Sequence, residues 1–290
     1  MPHDQPTLSV TSTDLHRFDL IHVRSDNPLW RLLMVPAMGI SARHYIPFGQ
    51  PLRDLGAEVF IHEWRGLGSS NLRASRECDW GYRELLMDLE AALDQIKDQA
   101  QETKLPLIVA GHSLGSQLAL LLQAIRPDSI DGSVCIAGGA PFYKSFRWPM
   151  RSVLQVLFYV MPWIAKRVGH YPGYRLGFAG REARSVMRDW ALTGLEGRYV
   201  PSGVSQNLEK ALSEINTPLL GVTMMDDWFV PDGSLQYLFG KAPNASVSVH
   251  RIGRSQLSGK ADHYRWMKQP KTTALAIADW VGAHFQLNPS

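Results

Sequence analysis

The 290-residue sequence has little cysteine, no long hydrophobic run and no dense cluster of Lys and Arg. Its two cysteines, Cys78 and Cys135, are too few for a disulfide framework or a metal site, and two thiols in such a chain are more often reduced. The most apolar stretch, residues 153–165, is too short to span a bilayer. A net charge of +3 does not indicate a surface that binds nucleic acid. We therefore expect no metal, cofactor or nucleic-acid partner.

The first ten residues, MPHDQPTLSV, lack both the basic region and the apolar region of a secretory signal. The default expectation is therefore a cytoplasmic protein. A hydrophobic content of 45% and a charged content of 20% are typical of an ordinary globular chain. The composition does not predict an oligomeric state.

Short β-like runs alternate with helical patterns along most of the chain, which predicts a mostly parallel sheet of about eight strands flanked by helices. Residues 7–12 and 17–25 are expected to form a hairpin at its start. In residues 82–99 the apolar positions 85, 86, 89, 92, 93 and 96 recur at three-four spacing, which indicates a helix with one buried face.

The alternation stops over residues 142–205, where aromatic residues, Gly and Pro are frequent. We expect residues 1–141 and 206–290 to form the core and residues 142–205 to form an inserted helical segment.

The pentapeptide Gly111-His112-Ser113-Leu114-Gly115 lies between an apolar run and an amphipathic helical pattern. This is the G-x-S-x-G pattern, in which a serine sits on a tight strand-to-helix turn that lifts its hydroxyl clear of the sheet. The backbone N–H of Leu114, at the helix start, then points towards developing negative charge. A plain helix-capping serine would not need both glycines. Ser113 is the candidate nucleophile.

A nucleophilic serine needs a base and an acid, which in this architecture follow it in the order acid, then histidine. Asp226 and Asp227 both follow the apolar run 217–224, and the residues alone do not decide which of the two is the acid. His263 follows the last strand pattern and is the candidate base. His250 lies within that strand pattern, where a structural histidine is the better interpretation.

These motifs resemble those of the α/β-hydrolases over nearly the whole chain. The segments DWGYRELLMDLEAAL, HYPGYRLGF and VMRDWALTG are similar to a branch near the serine-aminopeptidase-like group. EWRGLGSSN resembles the family's Asp-x-Arg-Gly-x-Gly-x-Ser loop, with Glu63 in place of the Asp. VPAMGISARHY occupies the place of the oxyanion loop, with Pro36-Ala37 where His-Gly is usual.

The resemblance implies a Ser-His-Asp triad and an acyl-enzyme mechanism. The family's Asp-x-x-Val-Pro pattern selects Asp227 over Asp226, because Asp227 precedes Pro231 by four residues. Met38 and Leu114 would supply the backbone N–H groups of the oxyanion hole.

The inserted segment would form a helical cap over the acyl pocket, with Trp148, Phe158 and Trp163 as candidate pocket residues. Simple packing between cap and core is the plainer interpretation of each of these three.

The leading functional hypothesis is a serine hydrolase of EC class 3.1 that cleaves a carboxylic ester with an apolar acyl part, so its partner is a small acyl substrate. A thioesterase acting on CoA-bound or carrier-bound acyl groups would use the same triad. A peptidase of the aminopeptidase-like kind lacks an obvious acidic cluster for an amine, and a receptor-like member would bind without much turnover. Basic residues around the apolar stretch 153–165 leave an acyl carrier or a membrane surface open, with simple solvation as the plainer interpretation.

Overall fold

The computed structural model describes residues 5–99 and 105–287. The strands described in these ranges are β1 (Thr7–Thr11), β2 (Arg17–Val23), β3 (Trp30–Val35), β4 (Ala57–His62), β5 (Leu107–His112), β6 (Gly132–Ile136), β7 (Tyr171–Pro172), β8 (Arg181–Glu182), β9 (Leu219–Met224) and β10 (Val247–Ile252). The α-helices are α1 (Ile46–Asp54), α2 (Tyr82–Gln99), α3 (Leu114–Ile125), α4 (Met150–Val168), α5 (Gly173–Leu176), α6 (Arg184–Glu196), α7 (Leu208–Ser213), α8 (Asp232–Phe239) and α9 (Lys271–His284).

Eight strands form one sheet in the order β1-β2-β4-β3-β5-β6-β9-β10. β1 and β2 form an antiparallel hairpin, and β2 is antiparallel to β4. All other pairs in this sheet are parallel. The predicted sheet of about eight mostly parallel strands and its initial hairpin are both confirmed. Because the parallel strands run the same way, their carboxyl ends meet at one edge.

The central strands are buried and mostly apolar because both faces of the sheet are covered. Every residue of β3 is buried. Leu33 and Val35 belong to one apolar layer and Leu32 and Met34 to the other, as the alternation of side chains along a strand requires. Helices α2 and α3 pack in the first layer, and α1 and α9 pack in the second. All six predicted inward positions of α2 are buried.

Residues 142–205 interrupt the alternation between β6 and β9 and contain α4, α5, α6 and the two-stranded pair β7–β8. Phe158 of α4 is 2% exposed and makes an edge contact with Trp190 of α6, with 4.9 Å between ring centroids. A Cβ atom at Gly194 would lie 2.3 Å from the Phe158 ring, so the two helices approach closely there. Asp189 on α6 accepts a 3.0 Å hydrogen bond from the Tyr82 N–H and joins the segment to α2.

Within residues 5–99 and 105–287, no helix combines the length and the hydropathy needed to cross a bilayer. The same residues contain no cluster of His, Cys, Asp and Glu that could hold a metal ion. Both cysteines are free, and burial raises the pKa of Cys135 to about 12.

Candidate active site

The turn between β5 and α3 holds Ser113 in a backbone conformation that side-chain-bearing residues rarely adopt, with φ 55° and ψ −116°. Such a conformation costs on the order of 1–3 kcal/mol and persists only where surrounding structure fixes it. The flanking glycines are required by space. A Cβ at Gly111 would lie 2.2 Å from the Gly115 carbonyl oxygen, and one at Gly115 would lie 2.2 Å from the carbonyl oxygen of Val35.

The Ser113 side chain does not cap α3, although it precedes the helix. Its backbone N–H donates to the Ile136 carbonyl at 3.1 Å, which fastens the turn to β6. Among the described residues, no protein group accepts from the N–H of Leu114 or of Met38, and the Ser113 hydroxyl makes no hydrogen bond. A half-buried hydroxyl and two backbone donors therefore remain available at this edge of the sheet.

His263 and Asp227 are brought together by the loops after β10 and β9. The His263 Nδ1 atom lies 2.8 Å from Asp227 Oδ2, and both side chains are buried. The other Asp227 oxygen, Oδ1, accepts from the N–H groups of Phe229 at 2.9 Å and Val230 at 3.0 Å. With a carboxylate that only accepts, the shared proton lies on Nδ1, which leaves Nε2 of His263 as the basic nitrogen.

Asp226, the neighbouring carboxylate, points elsewhere. It accepts hydrogen bonds from Arg254 Nε at 2.8 Å, from Arg254 Nη2 at 2.7 Å and from the Ala261 N–H at 3.0 Å. The hydrogen bond from Arg254 lowers the pKa of Asp226. Asp226 thus ties two loops together, while Asp227 contacts the histidine.

A buried hydrogen-bond chain joins the three loops at this edge and involves residues that the sequence analysis did not single out. Tyr45 Oη accepts from the Ala37 N–H at 2.9 Å and lies 2.8 Å from His112 Nδ1. His112 Nε2 lies 2.9 Å from the carbonyl oxygen of His263. Since that carbonyl can only accept, the proton of His112 is on Nε2, and Tyr45 donates to Nδ1.

The buried His112 ring is neutral, because burial and the nearby His263 hold its pKa well below the usual value for histidine. The chain from Ala37 through Tyr45 and His112 to His263 therefore positions the loop of Met38, the turn of Ser113 and the loop of His263 without adding charge. The only sequence signal for it is the place of His112 immediately before Ser113.

Glu63 occupies the place of the aspartate in the loop motif and is 5% exposed. It accepts from Ser41 Oγ at 2.7 Å and from the Ala42 N–H at 3.1 Å, so it fastens the loop after β4 to the segment after Met38. Burial raises the pKa of Glu63 despite these hydrogen bonds. Glu63 and Tyr45 therefore hold the same loop through different residues, Glu63 after Met38 and Tyr45 before it.

The inserted segment contacts this loop directly. A Cβ at Gly39, whose φ is +73°, would lie 2.3 Å from the Gly180 nitrogen, so the turn before β8 lies against the residue that follows Met38. Glu182 accepts from the Gly180 N–H at 2.9 Å, and burial raises the pKa of Glu182 to about 7.

The three aromatic pocket candidates lie apart from one another. Trp148 is 81% exposed and Trp163 is 58% exposed, whereas Phe158 packs inward against Trp190. No described contact joins any of them to Ser113. The rings that do surround His263 are Phe229, with centroids 5.3 Å apart, and Tyr264, with centroids 4.7 Å apart.

A family model described as "Serine aminopeptidase, S33" matches residues 26–191. The match covers more than half of the chain, and the chain belongs to this family of α/β-hydrolases. The matched range includes Ser113 and Met38 and ends before Asp227 and His263.

Among curated proteins, the chain is similar to the "Putative monoglyceride lipase" of Schizosaccharomyces pombe, with 30% identity over 37% of this chain and 28% of that protein. The aligned region thus spans little more than a quarter of the yeast protein. The chain is also similar to the "Putative carbamate hydrolase RutD" of Pseudomonas savastanoi, with 28% identity over 79% of this chain and 87% of that protein.

Solved structures share the fold at low identity. The complex of DcsB with its substrate analogue aligns with a TM-score of 0.67 and 12% identity, over 97% of this chain and 99% of that one. The Pyrococcus furiosus esterase Pf2001 aligns with a TM-score of 0.59 and 16% identity, over 97% and 93%. At these identities the likeness shows the α/β-hydrolase fold alone.

Proposed function

We propose that this protein is a serine esterase that cleaves a carboxylic ester with an apolar acyl part through an acyl-enzyme. Ser113 attacks the ester carbonyl, His263 Nε2 takes the serine proton and later returns it to the leaving group, and Asp227 holds the imidazole in the required tautomer. Water, activated by the same histidine, then hydrolyses the acyl-enzyme.

The observation that carries this proposal is the 2.8 Å contact between His263 Nδ1 and Asp227 Oδ2, together with the strained turn of Ser113 on the same edge of the sheet. The Ser113 hydroxyl and His263 are not hydrogen-bonded in the structure. Catalytic hydrogen bonds of this kind commonly tighten only in the substrate complex.

The unpaired N–H groups of Met38 and Leu114 suit the oxyanion hole. A carbonyl oxygen that gains negative charge between them would be stabilised by two fixed dipoles, each worth on the order of 3 kcal/mol of barrier. Tyr45, Glu63 and the contact of Gly39 with Gly180 hold the loop of Met38, so the donor would be pre-positioned.

The inserted segment, residues 142–205, would act as a cap over the acyl group. Its β7–β8 turn lies against the loop of Met38, which supports a place beside the reacting centre. The two curated relatives are named as a monoglyceride lipase and a carbamate hydrolase, and both names describe hydrolysis at a carbonyl group. These names support acyl chemistry and leave the choice of leaving group to experiment.

Covalent labelling tests the nucleophile. A fluorophosphonate probe should label the wild-type protein and fail to label Ser113→Ala. Ser152→Ala, which changes an exposed serine on α4, is the matched control and should be labelled at the wild-type rate. Equal labelling of Ser113→Ala and the wild type would exclude Ser113 as the nucleophile.

A panel of p-nitrophenyl esters, acyl-thioesters, carbamates and anilides of matched acyl groups tests the reaction class. We expect esters to be cleaved fastest, with kcat/KM rising roughly fourfold per added methylene until the pocket is full, since each buried methylene contributes about 0.8 kcal/mol. Faster cleavage of thioesters would identify a thioesterase instead. Tight binding of these acyl compounds without turnover would indicate a receptor-like protein.

A further inference from the structure

Helix α4 presents large apolar side chains to solvent along one side. The α4 outer surface consists of Trp148, just before the helix, and of Val153, Val156, Tyr159, Val160 and Trp163. Their exposed fractions run from 39% at Val160 to 81% at Trp148. The opposite side of α4 carries the buried Phe158, Met161 and Ala165. An apolar patch of this kind on a folded chain marks an interaction site more often than chance exposure does.

The chain segment that carries this surface has charged residues of one sign only. Residues 132–181 contain seven Lys and Arg and no Asp or Glu. The whole chain has 30 basic and 27 acidic residues, so without these seven the rest carries 23 basic residues and a net charge of −4. The excess of positive charge therefore comes from the segment that contains the exposed Trp148 and Trp163.

Four of these basic side chains have no acidic partner among the described residues. Arg147, Arg151, Lys166 and Arg167 are all exposed, and in the described ranges none of them forms an ion pair. Arg167 lies over the ring of Trp163, 5.3 Å from its centroid. Folding thus gains no ion pair from these four charges, and they remain free for an external anionic partner.

We infer that the α4 outer surface docks on an anionic phospholipid membrane. Trp and Tyr are the residues that settle at the level of lipid headgroups, and Lys and Arg beside them are attracted by anionic lipids. The apolar side chains would enter the interface while Arg147, Arg151, Lys166 and Arg167 contact the phosphates.

An acidic protein such as an acyl carrier would use the same basic residues, but it would not account for five exposed apolar side chains on one helical face and the exposed Trp148 just before it. A lipid surface accounts for the charge and for the exposed aromatic rings together. The inference concerns binding alone and does not depend on the proposed esterase activity.

Vesicle co-sedimentation tests this inference. The full chain should bind vesicles of phosphatidylcholine mixed with phosphatidylglycerol and bind phosphatidylcholine vesicles much more weakly, and added salt should weaken the binding. Removing two basic residues in Arg147→Ser/Lys166→Ser should weaken binding about 25-fold, since each charge near the surface contributes roughly fivefold. Trp148→Ser/Trp163→Ser should weaken binding to both kinds of vesicle.

Lys271→Ser/Leu275→Ser removes one exposed basic and one exposed apolar residue from α9 and is the matched control, which should bind as the wild type does. Circular dichroism checks that each variant is folded. As a second measurement, brominated phosphatidylglycerol should quench the tryptophan emission of the wild type more than that of Trp148→Ser/Trp163→Ser.

Equal binding to the two vesicle types, or equal loss in the α4 and α9 variants, would overturn the inference. So would capture by an acyl carrier protein in the absence of any vesicle binding.

Discussion

The edge of the sheet around Ser113 and the α4 outer surface differ in the burial and the hydrogen bonding of their polar and aromatic residues. At the sheet edge, Tyr45, His112 and Asp227 are buried, and each is hydrogen-bonded to another loop. On the α4 outer surface, Trp148 and Trp163 are exposed, and the basic residues near them have no acidic partner in the described ranges.

The difference follows from what each region has to achieve. Reacting groups need fixed positions. Buried hydrogen bonds fix them, because a buried polar group that loses its partner costs free energy. A surface that binds something external keeps its polar and apolar groups unsatisfied until the partner arrives. The hydrogen-bonded groups at the sheet edge and the exposed groups on the α4 outer surface should therefore respond differently to substitution.

The largest expected effect distinguishes the two adjacent aspartates at the sheet edge. Asp227→Asn keeps the shape but favours the wrong tautomer of His263, so kcat on a p-nitrophenyl ester should fall about ten-thousand-fold. Asp226→Asn removes a contact with Arg254 and should change kcat far less. Steady-state kinetics of both variants provide the measurement, and a severe loss in Asp226→Asn with a mild one in Asp227→Asn would reverse the assignment.

The second effect compares the two sides of α4. Phe158→Ala removes a buried ring from the contact with Trp190 and should lower the free energy of unfolding by about 3–5 kcal/mol. Val156→Ala, on the exposed side, should stay within about 0.5 kcal/mol of the wild type. Urea denaturation measures both, and similar losses would mean that the outer surface is packed against the protein after all.

A third, smaller effect compares tyrosines in the two regions. Tyr45→Phe leaves His112 Nδ1 and the Ala37 N–H without their partner, which should cost about 1–3 kcal/mol of stability. It should also lower kcat more than it raises KM, because the loops of Met38 and His263 lose a common support. Tyr159→Phe removes an exposed hydroxyl from α4 and should change neither quantity, and matching results for the two variants would contradict a positioning role for Tyr45.

The smallest effect is expected at Glu182, where the inserted segment meets the loop of Met38. Burial raises its pKa from 4.5 to about 7 in the folded chain. The folded state therefore holds a proton that the unfolded state has released, so this group's stabilising contribution is present below pH 4.5 and lost as the pH rises to about 7.

Glu182→Gln cannot titrate, so its stability relative to the wild type should increase between pH 5 and pH 7. Thermal unfolding at several pH values measures this change. Glu196→Gln, on the exposed side of α6, is the control. Parallel pH profiles for Glu182→Gln and the wild type would rule out a raised pKa of Glu182 in the folded chain.

Local patterns in the sequence determined most of the sheet, the periodicity of α2 and the turn of Ser113. These features depend on residues close together in the chain: apolar runs, three-four spacing, and two glycines that leave room at a tight turn. The resemblance to α/β-hydrolases then selected Asp227 from two adjacent aspartates. The small β7–β8 pair within residues 142–205 was not predicted, because two-residue strands carry no periodic signal.

Only the tertiary structure decided which side chains meet. The chain from Ala37 through Tyr45 and His112 to His263 joins groups more than two hundred residues apart, and no local pattern encodes such a contact. The exposure of Trp148 and Trp163 could not be predicted from the sequence either. An apolar helix has the same sequence pattern whether its second face contacts the core, a substrate or solvent. The sequence thus determined which residues could react or bind, and the packing of distant segments decided their neighbours.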